Sequence, residues 1–94
     1  WLTPAGEALQ AGLISRVVPA GELLATALGM ARIIASKSPA AIAIGKRAFY
    51  AQAELPLNEA YQVGTAALIE NMMHCDAVEG IGAFLEKRQP VWKG

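Results

Sequence analysis

The chain has 94 residues, of which 54% are hydrophobic and 17% are charged, against about 25% charged residues in typical soluble domains. Its eight basic and eight acidic residues cancel, which argues against DNA or RNA as a partner because nucleic acids attract basic surfaces. The single cysteine, Cys75, excludes an intrachain disulfide and suits a reducing compartment, and no apolar run reaches the roughly 18 residues expected of a membrane span.

Residues 1–19 predict a linker that holds a short helix and an extended connector. We expect Thr3 to cap the helix, which runs to Ala11, and Gly12 to stop it in a left-handed conformation. Residues 13–18 are rich in β-branched side chains and form either a short strand or an extended connector, and a lone strand would need a partner that this chain does not offer. Because the sequence begins without an initiator methionine, we expect it to be a piece of a longer chain.

Residues 20–94 predict a helical domain, so the fold class is all-α, with four to five helices in the whole chain. Apolar side chains recur at helical spacing, and prolines mark the joints between the helices. The predicted helices cover residues 20–37, 40–53 and 56–73, with a last helix that begins at Asp76 and ends before Pro90. Because a chain this short and this apolar buries a limited share of its surface, we expect another domain or subunit to cover part of it.

The last predicted helix carries a capping pattern, two glycines and an apolar stripe. Asp76 and Glu79 have the spacing of a capping box, in which side chains bond the free backbone N–H groups of the first turn. Gly80 and Gly82 each weaken a helix by up to about 1 kcal/mol relative to alanine, which makes sense if another group packs tightly there. The predicted buried stripe consists of Val78, Ile81 and Leu85.

Three consecutive residues, His74, Cys75 and Asp76, suggest a metal or catalytic cluster at first sight. Neighbours on a helix point about 100° apart, and a zinc site needs more ligands than one histidine and one cysteine supply. We therefore expect no metal site. Instead, His74 and Cys75 are expected to finish one helix, and Asp76 to cap the next.

No other group of residues predicts catalysis. Glu79 and Glu86 are not placed together in an apolar setting, as a paired-carboxylate mechanism requires. No serine has a plausible His-acid partner, and the glycines do not form a phosphate-binding fingerprint. Phe84 lies near Lys87 at the end of a helix, an arrangement that suits a base and a phosphate, although a solvated helix surface explains it as well.

One extended pattern resembles a known protein family. It reads Asp76-x-x-Glu79-Gly80-x-x-Ala83-Phe84-x-x-Lys87-Arg88-x-Pro90-x-Trp92. Upstream, Glu7-Ala8-Leu9-x-x-Gly12-Leu13-Ile14-x-x-Val17-Val18-Pro19 continues it. Together these motifs resemble the C-terminal part of the enoyl-CoA hydratase/isomerase (crotonase) family in one register over essentially the whole chain. Residues 1–6 depart slightly from the usual start of this region.

The resemblance implies the C-terminal helical region of a crotonase, or ClpP-like spiral, fold. In that family an N-terminal core of β-β-α units supplies an oxyanion hole and often two acidic residues, so none of the catalytic residues lies in this chain. The implied partners are that missing core, an acyl-CoA substrate and further copies in a trimer or dimer of trimers. No nucleic acid, membrane or metal is implied, and coenzyme A enters only as part of the substrate.

The resemblance also implies roles for three residues. Phe84 and Lys87 match positions that approach the adenine and phosphates of coenzyme A, and Leu68 matches one that lines the acyl pocket and is aromatic in some relatives. The implied function is that of part of an enoyl-CoA hydratase, which hydrates 2-enoyl-CoA thioesters in fatty acid metabolism. The implied compartment is the cytoplasm, or the mitochondrion in a eukaryote. The alternatives are a self-contained helical interaction module and a non-catalytic crotonase-like binding protein.

Overall fold

A computed structural model describes residues 2–94, so Trp1, where the predicted linker begins, lies outside the described residues. Five α-helices make up the described chain, which confirms the all-α prediction, and no strand occurs within residues 2–94. Residues 13–18 therefore form a connector rather than a strand. The helices are α1 (Ala5–Gln10), α2 (Leu23–Ala35), α3 (Pro39–Gln52), α4 (Leu57–Met72) and α5 (Cys75–Glu86), with a 3-10 turn at Ala20–Glu22.

The chain divides after Ile34 into two compact units. The first contains α1, whose N-cap is Pro4 rather than the predicted Thr3, with no side-chain capping bond. Gly12 ends this helix with a φ of 78°, as predicted, because glycine enters the left-handed region without a Cβ clash. The division of roles between a linker over 1–19 and a helical domain over 20–94 stays a prediction.

The second unit is built on a helix hairpin in which α3 packs against α4. Ser38 begins α3 because its hydroxyl oxygen accepts a hydrogen bond from the Ala41 N–H at 3.2 Å, and Pro39 provides a φ suited to the first turn. Arg47 on α3 pairs with Glu70 on α4 at 2.6 Å. The hairpin brings the start of α3 close to the start of α5, which places the contacts described below.

The last helix begins differently from the prediction. His74, not Asp76, caps α5: its Nδ1 accepts a hydrogen bond from the Asp76 N–H at 3.1 Å. His74 and Cys75 therefore do not finish the preceding helix, since α4 ends at Met72 and Cys75 is the first residue of α5. The capping box is wrong as well, because both of its carboxylates are bound to other parts of the chain.

The tail after α5 folds back onto that helix. The indole N–H of Trp92 donates a hydrogen bond to the Ser36 carbonyl at 2.8 Å, and its ring lies against Gly80, where a Cβ would stand 3.2 Å from the nearest ring atom. The expectation of tight packing is thus confirmed for Gly80. It is not met at Gly82, which has open space around it within this chain.

This chain encloses almost no core of its own. Among the described hydrophobic side chains, only Ile44 and Ala83 are buried, whereas 24 large ones are exposed. The predicted buried stripe on α5 is wrong for the chain alone, with exposed fractions of 73% at Val78, 50% at Ile81 and 72% at Leu85. Periodicity identifies the apolar face of a helix, but the surface that would cover this face is not supplied by the chain.

The sequence contains no apolar run long enough for a membrane span. In the structure, no single helix within residues 2–94 is long and apolar enough to cross a membrane. Only the bent pair Ala20–Ala35 and Pro39–Gln52, taken together, reaches the required length and hydropathy.

Candidate functional site

The turn that ends α5 presents two of the three predicted site residues. Lys87 follows the last helical residue and has a left-handed backbone, with φ 54° and ψ 45°. Its N–H donates to the Phe84 carbonyl at 3.3 Å, and the Arg88 N–H donates to the Ala83 carbonyl at 3.0 Å. These two bonds define a Schellman motif, and the chain changes direction there, at the end of α5.

The same motif ends α1, where the left-handed position is glycine. Gly12 donates to the Leu9 carbonyl at 3.1 Å, and Leu13 donates to the Ala8 carbonyl at 2.9 Å. A side chain with a Cβ in this conformation costs roughly 1 kcal/mol more than glycine. Lys87 is the one non-glycine residue with positive φ in the described chain, so the turn of α5 carries a small backbone strain that the turn of α1 avoids.

Two exposed side chains project from the α5 turn. Phe84 is 82% exposed, and Lys87 is exposed with no ion pair to any described residue. An uncovered aromatic ring and an unpaired ammonium one helical turn apart can bind a planar base and a phosphate oxygen together. The structure thus places Phe84 in the last turn of α5 and Lys87 directly after it, both exposed, while their contact with coenzyme A stays a prediction.

Arg88 differs from its neighbour Lys87 because acidic groups occupy its guanidinium. Its Nη2 and Nη1 bond the two carboxylate oxygens of Glu79 at 2.6 and 3.1 Å, and its Nε bonds Glu86 at 2.6 Å. The pairing with Arg88, followed by the backbone N–H of Val91, lowers the pKa of Glu79 to about 2. The same two carboxylates raise the pKa of Arg88.

Sequence spacing did not reveal the bond between Glu79 and Arg88. The two residues are nine positions apart, which is outside the i, i+3 and i, i+4 pairs of a helix. The contact exists because the left-handed residue Lys87 turns the chain back toward the second turn of α5. The sequence shows Lys87 between Glu86 and Arg88, but it does not predict the left-handed backbone of Lys87.

The third predicted site residue, Leu68, lies apart from the α5 turn. It is 60% exposed and lines an open, mostly apolar groove of about 390 Å³. The other lining residues are Gln52, Leu57, Ala60, Tyr61, Gly64 and Thr65, none of which belongs to α5. Leu57, Tyr61, Gly64 and Leu68 follow one another on α4 at spacings of three or four residues, which puts them on one side of the helix, and the groove has room for an apolar chain. The acyl-pocket role of Leu68 stays a prediction.

Asp76 is a buried carboxylate that holds three parts of the second unit together. It accepts hydrogen bonds from the Ser38 hydroxyl at 2.6 Å, the Lys93 N–H at 2.8 Å and the Gly94 N–H at 3.2 Å. The Ser38 bond, then the Lys93 bond, lower the pKa of Asp76. No local sequence pattern indicates this contact, because Ser38 and Asp76 are 38 positions apart.

His74, Cys75 and Asp76 bring three possible ligand atoms within 4.8 Å of one another. The Nδ1 of His74 already accepts the Asp76 N–H, and the Asp76 carboxylate accepts three further bonds. A metal would have to displace these bonds and would still lack the fourth ligand that structural zinc prefers. The described contacts therefore give His74 a capping role and make Asp76 a link between Ser38 and the tail, while Cys75 is the exposed first residue of α5.

Comparison with known proteins identifies the family. Residues 2–94 match the family model described as enoyl-CoA hydratase/isomerase, and the chain therefore belongs to the enoyl-CoA hydratase/isomerase family. It is similar to rat mitochondrial enoyl-CoA hydratase domain-containing protein 3, with 46% identity over 88 residues, covering 94% of this chain and 29% of that protein. It is also similar to carnitinyl-CoA dehydratase of Escherichia coli strain SMS-3-5 / SECEC, with 40% identity over 94 residues, covering 96% of this chain and 36% of the relative.

Solved structures agree with this assignment. The crystal structure of an enoyl-CoA hydratase from Mycobacterium smegmatis has a TM-score of 0.91 and 40% identity, and the match covers 96% of this chain and 35% of that one. Human enoyl-CoA hydratase domain-containing protein 3 gives a TM-score of 0.90 and 45% identity over 94% of this chain and 35% of that one. The helices are thus one region of the crotonase fold, and the chain spans about a third of the length of these relatives.

Proposed function

We propose that the full-length protein carrying this chain acts on acyl-CoA thioesters as an enoyl-CoA hydratase, adding water reversibly to a 2-enoyl-CoA in fatty acid metabolism. Within it, these helices cover the acyl and coenzyme A sites and form contacts between copies in a trimer or dimer of trimers. The observation that supports the proposal is the end of α5, where the exposed ring of Phe84 and the ammonium of Lys87, which has no ion pair among the described residues, belong to positions three residues apart in a chain of this family.

The chemistry of this segment supports a binding and covering role. It holds no pair of carboxylates in an apolar setting, so the groups that would add water are proposed to lie in the rest of the protein. Its exposed apolar side chains need a covering surface, which the missing core and neighbouring copies would supply. The proposed compartment is the cytoplasm, or the mitochondrion in a eukaryote, in keeping with the mitochondrial relatives.

Charge removal at Lys87 tests the coenzyme A contact in the full-length protein. Lys87→Gln keeps a polar side chain, one atom shorter and uncharged, and loses a contact worth about 1 kcal/mol, so the Kd for coenzyme A should rise roughly fivefold at low salt. The loss should shrink as salt is added, because salt screens an exposed phosphate contact. Titration calorimetry at two salt concentrations measures both effects.

Lys37→Gln is the matched control, since it removes one positive charge from another exposed position. An unchanged affinity in Lys87→Gln at low salt would remove Lys87 from the site. Turnover of crotonyl-CoA by the unsubstituted full-length protein separates the hydratase from a non-catalytic relative that binds acyl-CoA without converting it.

A further inference from the structure

Two carboxylates contact the guanidinium at the α5 turn: Glu86, the last residue of α5, and Glu79, two helical turns earlier. Glu79 bonds the guanidinium of Arg88 through both of its oxygens and accepts the Val91 N–H at 3.2 Å. Glu79 thereby binds Arg88, which directly follows Lys87, and Val91, which lies farther along the tail. Glu79 is 23% exposed at its side chain, so this carboxylate is more shielded than most surface acids of the chain.

The held turn is one that its own residues do not favour. A lysine in the left-handed region is strained relative to glycine, and α1 uses Gly12 at the same position of the same motif. Strained backbone persists where surrounding contacts determine it, and it often marks a functional position. The contacts at this turn are the two backbone bonds of the Schellman motif, the bond between Arg88 and Glu86, and the two-bond pairing of Arg88 with Glu79, which alone of these ties the turn to an earlier turn of α5.

We propose that Glu79 is a positioning residue for Lys87: by holding Arg88, it fixes the turn that directs the Lys87 ammonium toward a phosphate of the bound acyl-CoA. This inference rests on the proposed function. It also limits the phosphate contact to one cation, because the charge of Arg88 is opposed by Glu79 and Glu86 while that of Lys87 is not.

A positioning role for Glu79 predicts a change in coenzyme A affinity opposite to the one expected from the change in charge alone. Glu79→Gln removes a negative charge near the phosphate site and partly releases Arg88, so electrostatics alone would tighten coenzyme A binding. If Glu79 positions Lys87, the same variant should weaken binding roughly two- to fivefold, the range expected for loss of a good ion pair. Arg88→Lys should weaken it similarly, because lysine keeps the charge but cannot make the two-bond contact.

A double-mutant cycle in the full-length protein separates positioning from general damage. The Kd for coenzyme A is measured for Lys87→Gln, Glu79→Gln and the double variant, together with kcat and KM for a 2-enoyl-CoA. The double variant should bind no more weakly than Lys87→Gln alone, and Glu79→Gln should raise KM while leaving kcat unchanged. Glu70→Gln is the matched control, since it breaks an arginine–glutamate pair of the same 2.6 Å length elsewhere.

The outcomes distinguish the two proposals. If Lys87→Gln does not weaken binding, the proposed function of Lys87 fails. If Lys87→Gln weakens binding but Glu79→Gln tightens it, leaves it unchanged or adds fully to the Lys87 effect, the positioning role is overturned. Circular dichroism of each variant checks the helices, and Arg88→Lys provides a second test should Glu79→Gln unfold the turn.

Discussion

The indole of Trp92 provides the sharpest test of how the tail is held. A tryptophan can bury about 150–250 Å², so a half-buried ring removes about 100 Å² from water and contributes about 2.5 kcal/mol. Its hydrogen bond to the Ser36 carbonyl adds about 1 kcal/mol. Trp92→Ala should therefore destabilise tail docking by about 3 kcal/mol. Trp92→Phe should cost about 1 kcal/mol for the lost hydrogen bond, because phenylalanine keeps part of the buried ring area, although not the distal indole atoms nearest Gly80.

Hydrogen exchange in the full-length protein measures this opening directly. The Lys93 and Gly94 N–H groups are bonded to Asp76, so their protection reports whether the tail is docked. Exchange should accelerate by roughly 100-fold in Trp92→Ala and roughly 5-fold in Trp92→Phe. Val91→Ala, at a side chain that is 68% exposed in the same tail, should change exchange little.

Two results would refute this reasoning. Equal exchange in the wild type and Trp92→Ala would show that the indole does not hold the tail. Equal losses in Trp92→Phe and Trp92→Ala would show that burial of the rest of the ring does not contribute, and that only the hydrogen bond and the distal indole atoms hold the tail.

Three further predictions concern α5 and the segment as a whole. Gly82→Ala should raise the melting temperature because alanine favours helix by up to about 1 kcal/mol. Gly80→Ala should raise it less, because its methyl group would meet Trp92 at 3.2 Å. Equal increases in the two variants would contradict the contact between Gly80 and Trp92. The pKa of Glu79 is depressed from 4.5 to about 2. Its pairing with Arg88 should therefore stabilise the fold fully above pH 4.5, and this stabilisation should be lost as the pH falls toward 2. If the melting temperature of the wild type followed that of Glu79→Gln throughout this pH range, the pairing would not stabilise the fold. Residues 1–94 expressed alone should bind a hydrophobic dye, unfold without a cooperative transition and show no turnover of crotonyl-CoA, and measurable turnover by pure material would overturn the placement of the catalytic groups.

Helix identity was predictable because it depends on local pattern. Prolines and glycine set the helix ends within a few positions: the helix predicted over 40–53 begins at Pro39 with Ser38 as its cap, and Gly12 ends α1 as predicted. The capping residues were predicted less well, since Pro4 rather than Thr3 precedes α1 and His74 rather than Asp76 caps α5. An aspartate carboxylate can accept hydrogen bonds from the free N–H groups of a helix end or from a distant hydroxyl. Which of these partners Asp76 uses depends on the folded hairpin, which brings the Ser38 hydroxyl within 2.6 Å.

The site was predictable only in part. Phe84 and Lys87 were identified by family pattern, and the structure places them on one turn. The pairing of Glu79 with Arg88 was missed because it depends on a positive φ at a lysine, a conformation that sequence rules assign to glycine or asparagine. The burial of Val78 and Leu85 was predicted wrongly, since the apolar face is present but no other part of the described chain covers it.

The near absence of an internal core has a consequence for how this segment tolerates change. In a self-sufficient domain, a damaging core substitution can be compensated by a neighbouring side chain of the same domain. Here only Ile44 and Ala83 are enclosed among the described hydrophobic side chains, so compensation for most apolar positions must come from whatever surface meets them. Substitutions that look harmless on the segment alone, such as a charge in place of Leu85, should therefore be constrained jointly with residues outside it.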